Sequence, residues 1–282
     1  MPALVHQLVT PFIRNKTSWR FLNSTLLRLA RKMDQWRRAH LDREHDLDDS
    51  IRGRFLNGMV RHGLFYGMKY PTLEAAGSAL YPKLLGSYEL ELRPVMEQIM
   101  QTDYDSVVDV GCAEGYYATG LALRLPEAKI FAFDLDERAQ RLCRQMAEVN
   151  GVAARVEVGS ACSPSVLAGL PLGRRALIIS DCEGYEQLLF TPECVAALAQ
   201  HDVLIEVHAF VNPDIPVLLR QRFAATHDLT AIQSTDDADK PARFPWRHEE
   251  SFTPEEWRAL LAEGRPGIME WLWLTPRESA AK

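Results

Sequence analysis

The stretch Ser106-Val107-Val108-Asp109-Val110-Gly111-Cys112-Ala113-Glu114-Gly115-Tyr116-Tyr117 decides how this chain is read. Its valines predict a short buried strand, and the residues after Gly115 predict a helix. Glycine just beyond a parallel strand lets the backbone turn tightly and lets a ligand approach the main chain. Open α/β sheets bind ligands at that place, outside the carboxyl ends of their strands. The spacing is G-x-x-x-G and not the G-x-G-x-x-G dinucleotide fingerprint, so a pyrophosphate cradle is not indicated.

Working downstream, β-branched or aromatic runs at 130–134, 155–158, 176–180 and 203–207 predict further strands. Helical patterns fall between them at 118–124, 137–150, 165–170 and 185–199. Strand–helix alternation with near-continuous apolar strands means a mostly parallel sheet with helices on both faces. Two late runs, 229–233 and 270–274, predict two more strands around a polar, proline-containing stretch at 234–252. In that stretch Arg243-Phe244-Pro245-Trp246-Arg247 reads either as a grip for a sugar or anion or as a loop held by its aromatics.

Upstream the chain reads differently. Trp19, Leu22, Leu26, Leu29, Met33 and Trp36 recur every three or four residues, one stripe of a helix spanning 17–44. Arg20, Arg28, Arg31, Lys32, Arg37 and Arg38 cover its other faces. Such a helix packs on its own domain, pairs with a second copy in a homodimer, or lies on an anionic membrane. Residues 50–90 are rich in Gly, Tyr and Pro and too apolar for a disordered linker. Tyr66, Lys69, Tyr70, Tyr81 and Tyr88 there could line a lid, and a helix over 88–100 leads onward. The expected organisation is a helical and glycine-rich region at 1–89 followed by an α/β domain at 90–282.

Composition narrows the function. Hydrophobic residues make up 47% and charged residues 25% of the 282, which excludes a disordered or fibrous chain. No run approaches the roughly 20 apolar residues of a membrane span. The opening Met-Pro-Ala-Leu-Val-His lacks a cationic segment, so a cytoplasmic protein is expected. Five cysteines without a C-x-x-C pair suggest reduced, mostly buried thiols. Residues 1–100 carry a net charge of +5 and residues 101–282 a net −11. An acidic main body argues against a broad nucleic-acid footprint.

Asp134 closes the second strand 25 residues after Asp109. A carboxylate there is placed to accept hydrogen bonds from both hydroxyls of a ribose. The competing role is helix N-cap before residue 137. The acid–glycine loop and the strand-two acid together resemble the class I S-adenosylmethionine-dependent methyltransferases over about residues 104–210. The resemblance implies a Rossmann-like, seven-stranded sheet with one antiparallel strand, and S-adenosyl-L-methionine as cofactor. It implies cofactor contacts from Asp109, Gly111, Ala113, Gly115, Asp134 and Asp181. Many members place an acid after strand three for the adenine amine; here Val158-Gly159-Ser160 leaves that contact to Ser160 or a backbone group.

Strand four ends in Asp181-Cys182-Glu183-Gly184-Tyr185-Glu186, similar to the FkbM-type methyltransferases, which typically modify hydroxyls, often on sugars or polyketides. Strand five ends in Glu206-Val207-His208. Asp181, Glu206 and His208 therefore share neighbouring strand ends, and Glu206 and His208 face the same way if both continue the strand. They could hold Mg²⁺ or Mn²⁺, which would lower the pKa of a bound hydroxyl. Without a metal, His208 would be a general base oriented by Asp181 or Glu206. Glu183 and Glu186 read as helix N-terminal acids. The expected enzyme is an O-methyltransferase acting on a small molecule or sugar. The alternative is a sensor or partner subunit that binds the cofactor without transferring methyl. A nitrogen acceptor in nucleic acid would favour an N-P-P-Y-type motif after strand four, which Asp181-Cys182-Glu183-Gly184 is not.

Overall fold

The computed structural model describes residues 49–277. The chain divides into two units, Met1–Arg52 and Gly53–Lys282. The first enters the described residues only at 49–52, in helix α1 (Asp49–Arg54). The amphipathic helix read over 17–44, with its dimer, membrane and packing roles, lies outside the described residues.

Within the second unit, seven strands form one sheet: β1 (Ser106–Val110), β2 (Lys129–Phe133), β3 (Val156–Gly159), β4 (Ala176–Ser180), β5 (Asp202–Val207), β6 (His227–Gln233) and β7 (Glu270–Pro276). Their order is β3-β2-β1-β4-β5-β7-β6. β1 to β5 are parallel, and β7 runs antiparallel between β5 and β6. Every residue of β1, β4 and β5 is buried, as strands covered on both faces must be. The edge strand β6 is mostly exposed and mostly polar.

The helices are α2 (Leu80–Leu85), α3 (Arg93–Met100), α4 (Tyr116–Arg124), α5 (Glu137–Val149), α6 (Pro164–Gly169), α7 (Glu186–Leu189), α8 (Pro192–Ala197), α9 (Ile215–Phe223), α10 (Lys240–Arg243) and α11 (Pro254–Leu261). Two expected helices are shorter than their apolar patterns. The 88–100 helix starts at Arg93 behind a 3-10 turn, because Pro94 fits only a first turn. The 185–199 helix breaks into α7 and α8 at Pro192, where the Thr191 side chain caps α8 by accepting the Cys194 N–H.

Segment 53–89, grouped with the N-terminus on composition, packs with the sheet-bearing unit. In the 234–252 stretch, Phe244 is buried, and Trp246 stacks on His62 and lies under Arg93. The aromatics there hold a loop down. Four cysteines are buried, Cys182 is half-buried, and all five are free. Among the described residues no helix is long and apolar enough to cross a membrane.

The strand register does most to place the site. Gly159, Phe133, Val110, Ser180 and Ile205 are paired across β3, β2, β1, β4 and β5. One residue further along each strand lie Ser160, Asp134, Gly111, Asp181 and Glu206. The sheet itself therefore sets these five in one row along its carboxyl edge.

Candidate active site

The glycine loop is built against β4. Gly111 has φ +89, and a Cβ on it would come within 1.7 Å of the Asp181 carbonyl oxygen. Only glycine fits there, and the contact joins the loop to the acidic end of β4. Asp109 is buried in β1, two residues before Gly111. Its Oδ2 has no partner. Burial, with Asp181 and Asp134 nearby, pushes its carboxyl up to about 7.

Asp134 bridges loop and strand. Its carboxylate accepts the Ala113 N–H at 2.9 Å and the Asp136 N–H at 2.8 Å. The N-cap of α5 is Asp136, which accepts the Arg138 N–H, so the capping role weighed for Asp134 belongs to its neighbour. Burial raises the Asp134 carboxyl above its ordinary value. Ser160 lies exposed beside it at the end of β3. Gly115, with φ +92, turns the chain into α4.

The loop's anchor carries no local sequence signature. Glu114 is buried and accepts from Lys83 Nζ at 2.6 Å, from the Ala76 N–H at 3.0 Å and from the Tyr70 hydroxyl at 3.2 Å. The Lys83 ammonium also lies over the Tyr88 and Tyr116 rings. Segment 70–88 is thereby fastened to the loop through one carboxylate. Of the tyrosines read as lid candidates, Tyr70 is buried here and Tyr66 points outward, 62% exposed.

At the ends of β4 and β5, three groups converge. His208 Nε2 lies 3.5 Å from Asp181 Oδ1 and 3.5 Å from Glu206 Oε2. Glu183 Oε2 is 3.8 Å away. Glu186, read from sequence as a helix N-terminal acid, is fully buried with its Oε1 2.6 Å from His208 Nδ1. That oxygen also accepts the Gly184 N–H, so the local helix-end role survives beside the larger one. A proton on Nδ1 satisfies Glu186 and leaves the Nε2 lone pair facing Asp181 and Glu206. Burial lowers the His208 pKa, but the Glu186 hydrogen bond and the charges of Asp181, Glu186 and Glu183 outweigh it and the net shift is upward.

Behind this group stands an arginine that no local pattern singles out. Arg265 donates to Glu206 at 2.7 Å, to Glu263 at 2.8 Å and to Glu89 at 3.1 Å. Burial, with Asp181 and Glu89 nearby, raises the Glu206 carboxyl well above its ordinary value. Burial likewise carries Glu89 up to about 8, although Arg265 pulls the other way. Glu89, Ala113 and Glu183 are the non-glycine residues with positive φ among those described. All three lie on this edge, where backbone strain commonly gathers at functional sites.

The donor set fits a divalent cation. One ligand atom each from Asp181, Glu206 and His208 lies within 4.8 Å of the others. Asp181 Oδ1 is buried without a hydrogen-bond partner. Two carboxylate oxygens and an imidazole nitrogen suit Mg²⁺ or, better, Mn²⁺.

Comparison with known proteins bears on the first half of this edge. Residues 93–169 match the family model of the methyltransferase small domain. A release factor glutamine methyltransferase of Chlorobaculum tepidum is 31% identical over 113 residues, 38% of this chain and 37% of the relative. A probable cobalt-precorrin-6B C(15)-methyltransferase (decarboxylating) of Pyrobaculum calidifontis is 40% identical over 73 residues, 26% of this chain and 37% of the relative. The solved structure of TrmN from Thermus thermophilus aligns over 70% of this chain and 52% of its own, at 19% identity and a TM-score of 0.42. The chain spans between 36% and 48% of the length of the curated relatives it matches. The sheet with its single antiparallel strand and the family match over the glycine loop together support a class I S-adenosylmethionine-dependent methyltransferase.

Proposed function

We propose that this chain transfers a methyl group from S-adenosylmethionine to a hydroxyl of a small molecule or sugar, with a Mg²⁺ or Mn²⁺ ion held by Asp181, Glu206 and His208. The observation that carries this reading is the convergence of those three side chains on one point, directly beside the loop that Gly111 seats against Asp181. The cofactor supplies a methyl already activated on a sulfonium, and a divalent ion supplies Lewis acidity to a hydroxyl. The chain supplies alignment and a place for the proton. Asp134 and the loop at Gly111, Ala113 and Gly115 would hold the ribose and methionine parts, and Ser160 or a backbone group beside it would meet the adenine. The C–S bond breaks as the C–O bond forms. With the ion held, Nε2 of His208 would be one of its ligands and the hydroxyl proton would be lost to water, whereas without the ion Nε2 would take that proton itself. Glu186 keeps the ring turned so that Nε2 faces Asp181 and Glu206.

A second reading has support of its own. Three of the matched relatives bear the name release factor glutamine methyltransferase, which favours a glutamine side chain of a protein as acceptor. The family match ends at residue 169, ahead of β4 and β5, so it speaks for the cofactor half and not for the acceptor. The acid–imidazole cluster after β4 and β5 supports the hydroxyl reading, since a hydroxyl acceptor must lose its proton to a base or under the pull of an ion.

Titration calorimetry with S-adenosylmethionine, with and without Mn²⁺ and after chelation, tests the proposal. Micromolar cofactor binding and a separate metal heat are expected. No cofactor binding in any condition would sink it.

A further inference from the structure

Each of the three nitrogens of the Arg265 guanidinium donates to a different carboxyl group. Nη1 donates to Glu206, Nε to Glu263 and Nη2 to Glu89, with Glu91 3.8 Å from Nη2. The side chain is only 13% exposed. An arginine committed in this way, with every nitrogen engaged, is held in one orientation. It is a fixed fork, and its effect must reach the site through the groups it grips.

Only one of those groups belongs to the acceptor site. Arg265 takes Glu206 by Oε1, at 2.7 Å, and so leaves Oε2 turned toward His208 Nε2 at 3.5 Å. A free glutamate at the end of a strand would rotate about its terminal torsion and could present either or both oxygens. Held by one oxygen, it presents the other alone, at a set angle, beside Asp181 Oδ1. The fork is itself anchored from behind. Glu263 ion-pairs with the buried Lys240, and its Oε1 also accepts the Glu89 N–H at 2.8 Å. Glu89 accepts from the Tyr117 hydroxyl. The chain Lys240–Glu263–Arg265–Glu206 runs from a buried ammonium to the point where the site's ligand atoms meet.

We propose that Arg265 is a positioning residue which fixes Glu206 as a one-oxygen ligand and thereby sets the geometry of the cation site at Asp181, Glu206 and His208. This rests on the metal-assisted reading above. Lysine would keep the charge at this place but not the planar fork that grips three carboxylates at once.

The test is Mn²⁺ binding, followed by electron paramagnetic resonance on the full chain in the absence of any acceptor. S-adenosylmethionine affinity and thermal melting serve as controls for folding. In R265K, Mn²⁺ affinity falls tenfold or more while cofactor affinity stays within twofold of wild type. In E263Q, which touches neither the ion nor Glu206, Mn²⁺ affinity falls by a smaller, measurable factor. If the guanidinium acted only as a like charge near the ion, R265M would bind Mn²⁺ more tightly; that result, or unchanged binding in R265K and E263Q, overturns the proposal. A wild-type protein that binds cofactor but no Mn²⁺ removes the metal reading and this inference with it. Binding in wild type with no change in the variants removes the inference alone.

Discussion

The Lys83 ammonium lies 2.6 Å from the Glu114 carboxylate, and both side chains are almost wholly buried. The pair ties segment 70–88 to the loop between β1 and α4, so its integrity should be felt in cofactor binding. Removing one member of a buried pair leaves an uncompensated charge and costs about 3–5 kcal/mol. Lys83→Met should therefore lower the melting temperature and weaken S-adenosylmethionine binding. Adding Glu114→Gln should recover part of the stability, because the stranded charge is gone. If the double variant melts no higher than Lys83→Met, the ion pair is not what fastens the segment.

Asp134 holds the Ala113 N–H of the same loop while its carboxylate stands at the tip of β2. Asp134→Ala should cost about 1.5–3 kcal/mol of cofactor binding, from a lost charged hydrogen bond. That is roughly tenfold or more in affinity, read by calorimetry. An unchanged affinity would remove the ribose role.

The row Ser160, Asp134, Gly111, Asp181 and Glu206 was legible in the sequence because a parallel strand announces its own end. An apolar run stops, and the next polar or glycine residue stands at the carboxyl edge. The strands lie within two residues of their expected bounds for the same reason. Helix lengths were less legible where proline decided them, as at Pro94 and Pro192, since amphipathic patterns run through a break that backbone sterics impose. The supporting charges were not legible at all. Lys83 and Glu114 are 31 residues apart and Arg265 and Glu206 are 59 apart. No local periodicity marks a pair that only the tertiary fold brings together. Glu186 is the instructive case: its position at a helix start is real, and it concealed the contact with His208.

Gly111 is required twice over, by φ +89 and by the Asp181 carbonyl that a Cβ would strike. Gly111→Ala should destabilise the protein by more than about 2 kcal/mol, since left-handed strain and overpacking each contribute 1 or more. Gly151 also has positive φ, but open space lies around it. Gly151→Ala should cost only the conformational part, about 1 kcal/mol. Equal losses in urea unfolding would mean that the approach to Asp181 is not what constrains the loop.

His208 should titrate above its usual 6.5 in the metal-free protein, because Glu186 and the neighbouring acids outweigh burial. Glu186→Gln removes a charge and weakens the Nδ1 hydrogen bond. Burial then weighs more, and the ring's midpoint should fall, as followed by nuclear magnetic resonance. A midpoint that stays in place would show that Glu186 does not govern the ring.

Stability should depend on pH through the buried carboxyls. Burial holds Glu89 at about 8, against an ordinary 4.5, and Asp109 at about 7, against 3.8. Between the ordinary and raised values the folded protein keeps protons that the unfolded chain has released. The folded state then binds more protons, so stability falls as pH rises through that window. Their contribution is complete below about pH 4 and is lost as pH climbs through 7 and 8. Unfolding free energy measured from pH 5 to 8.5 should accordingly decline. Glu89→Gln, whose amide oxygen can still accept from Arg265, should flatten the upper part of that decline. A variant with the same slope as wild type between pH 7 and 8.5 would mean that Glu89 is ionised in the folded protein, and that Arg265 rather than burial governs it.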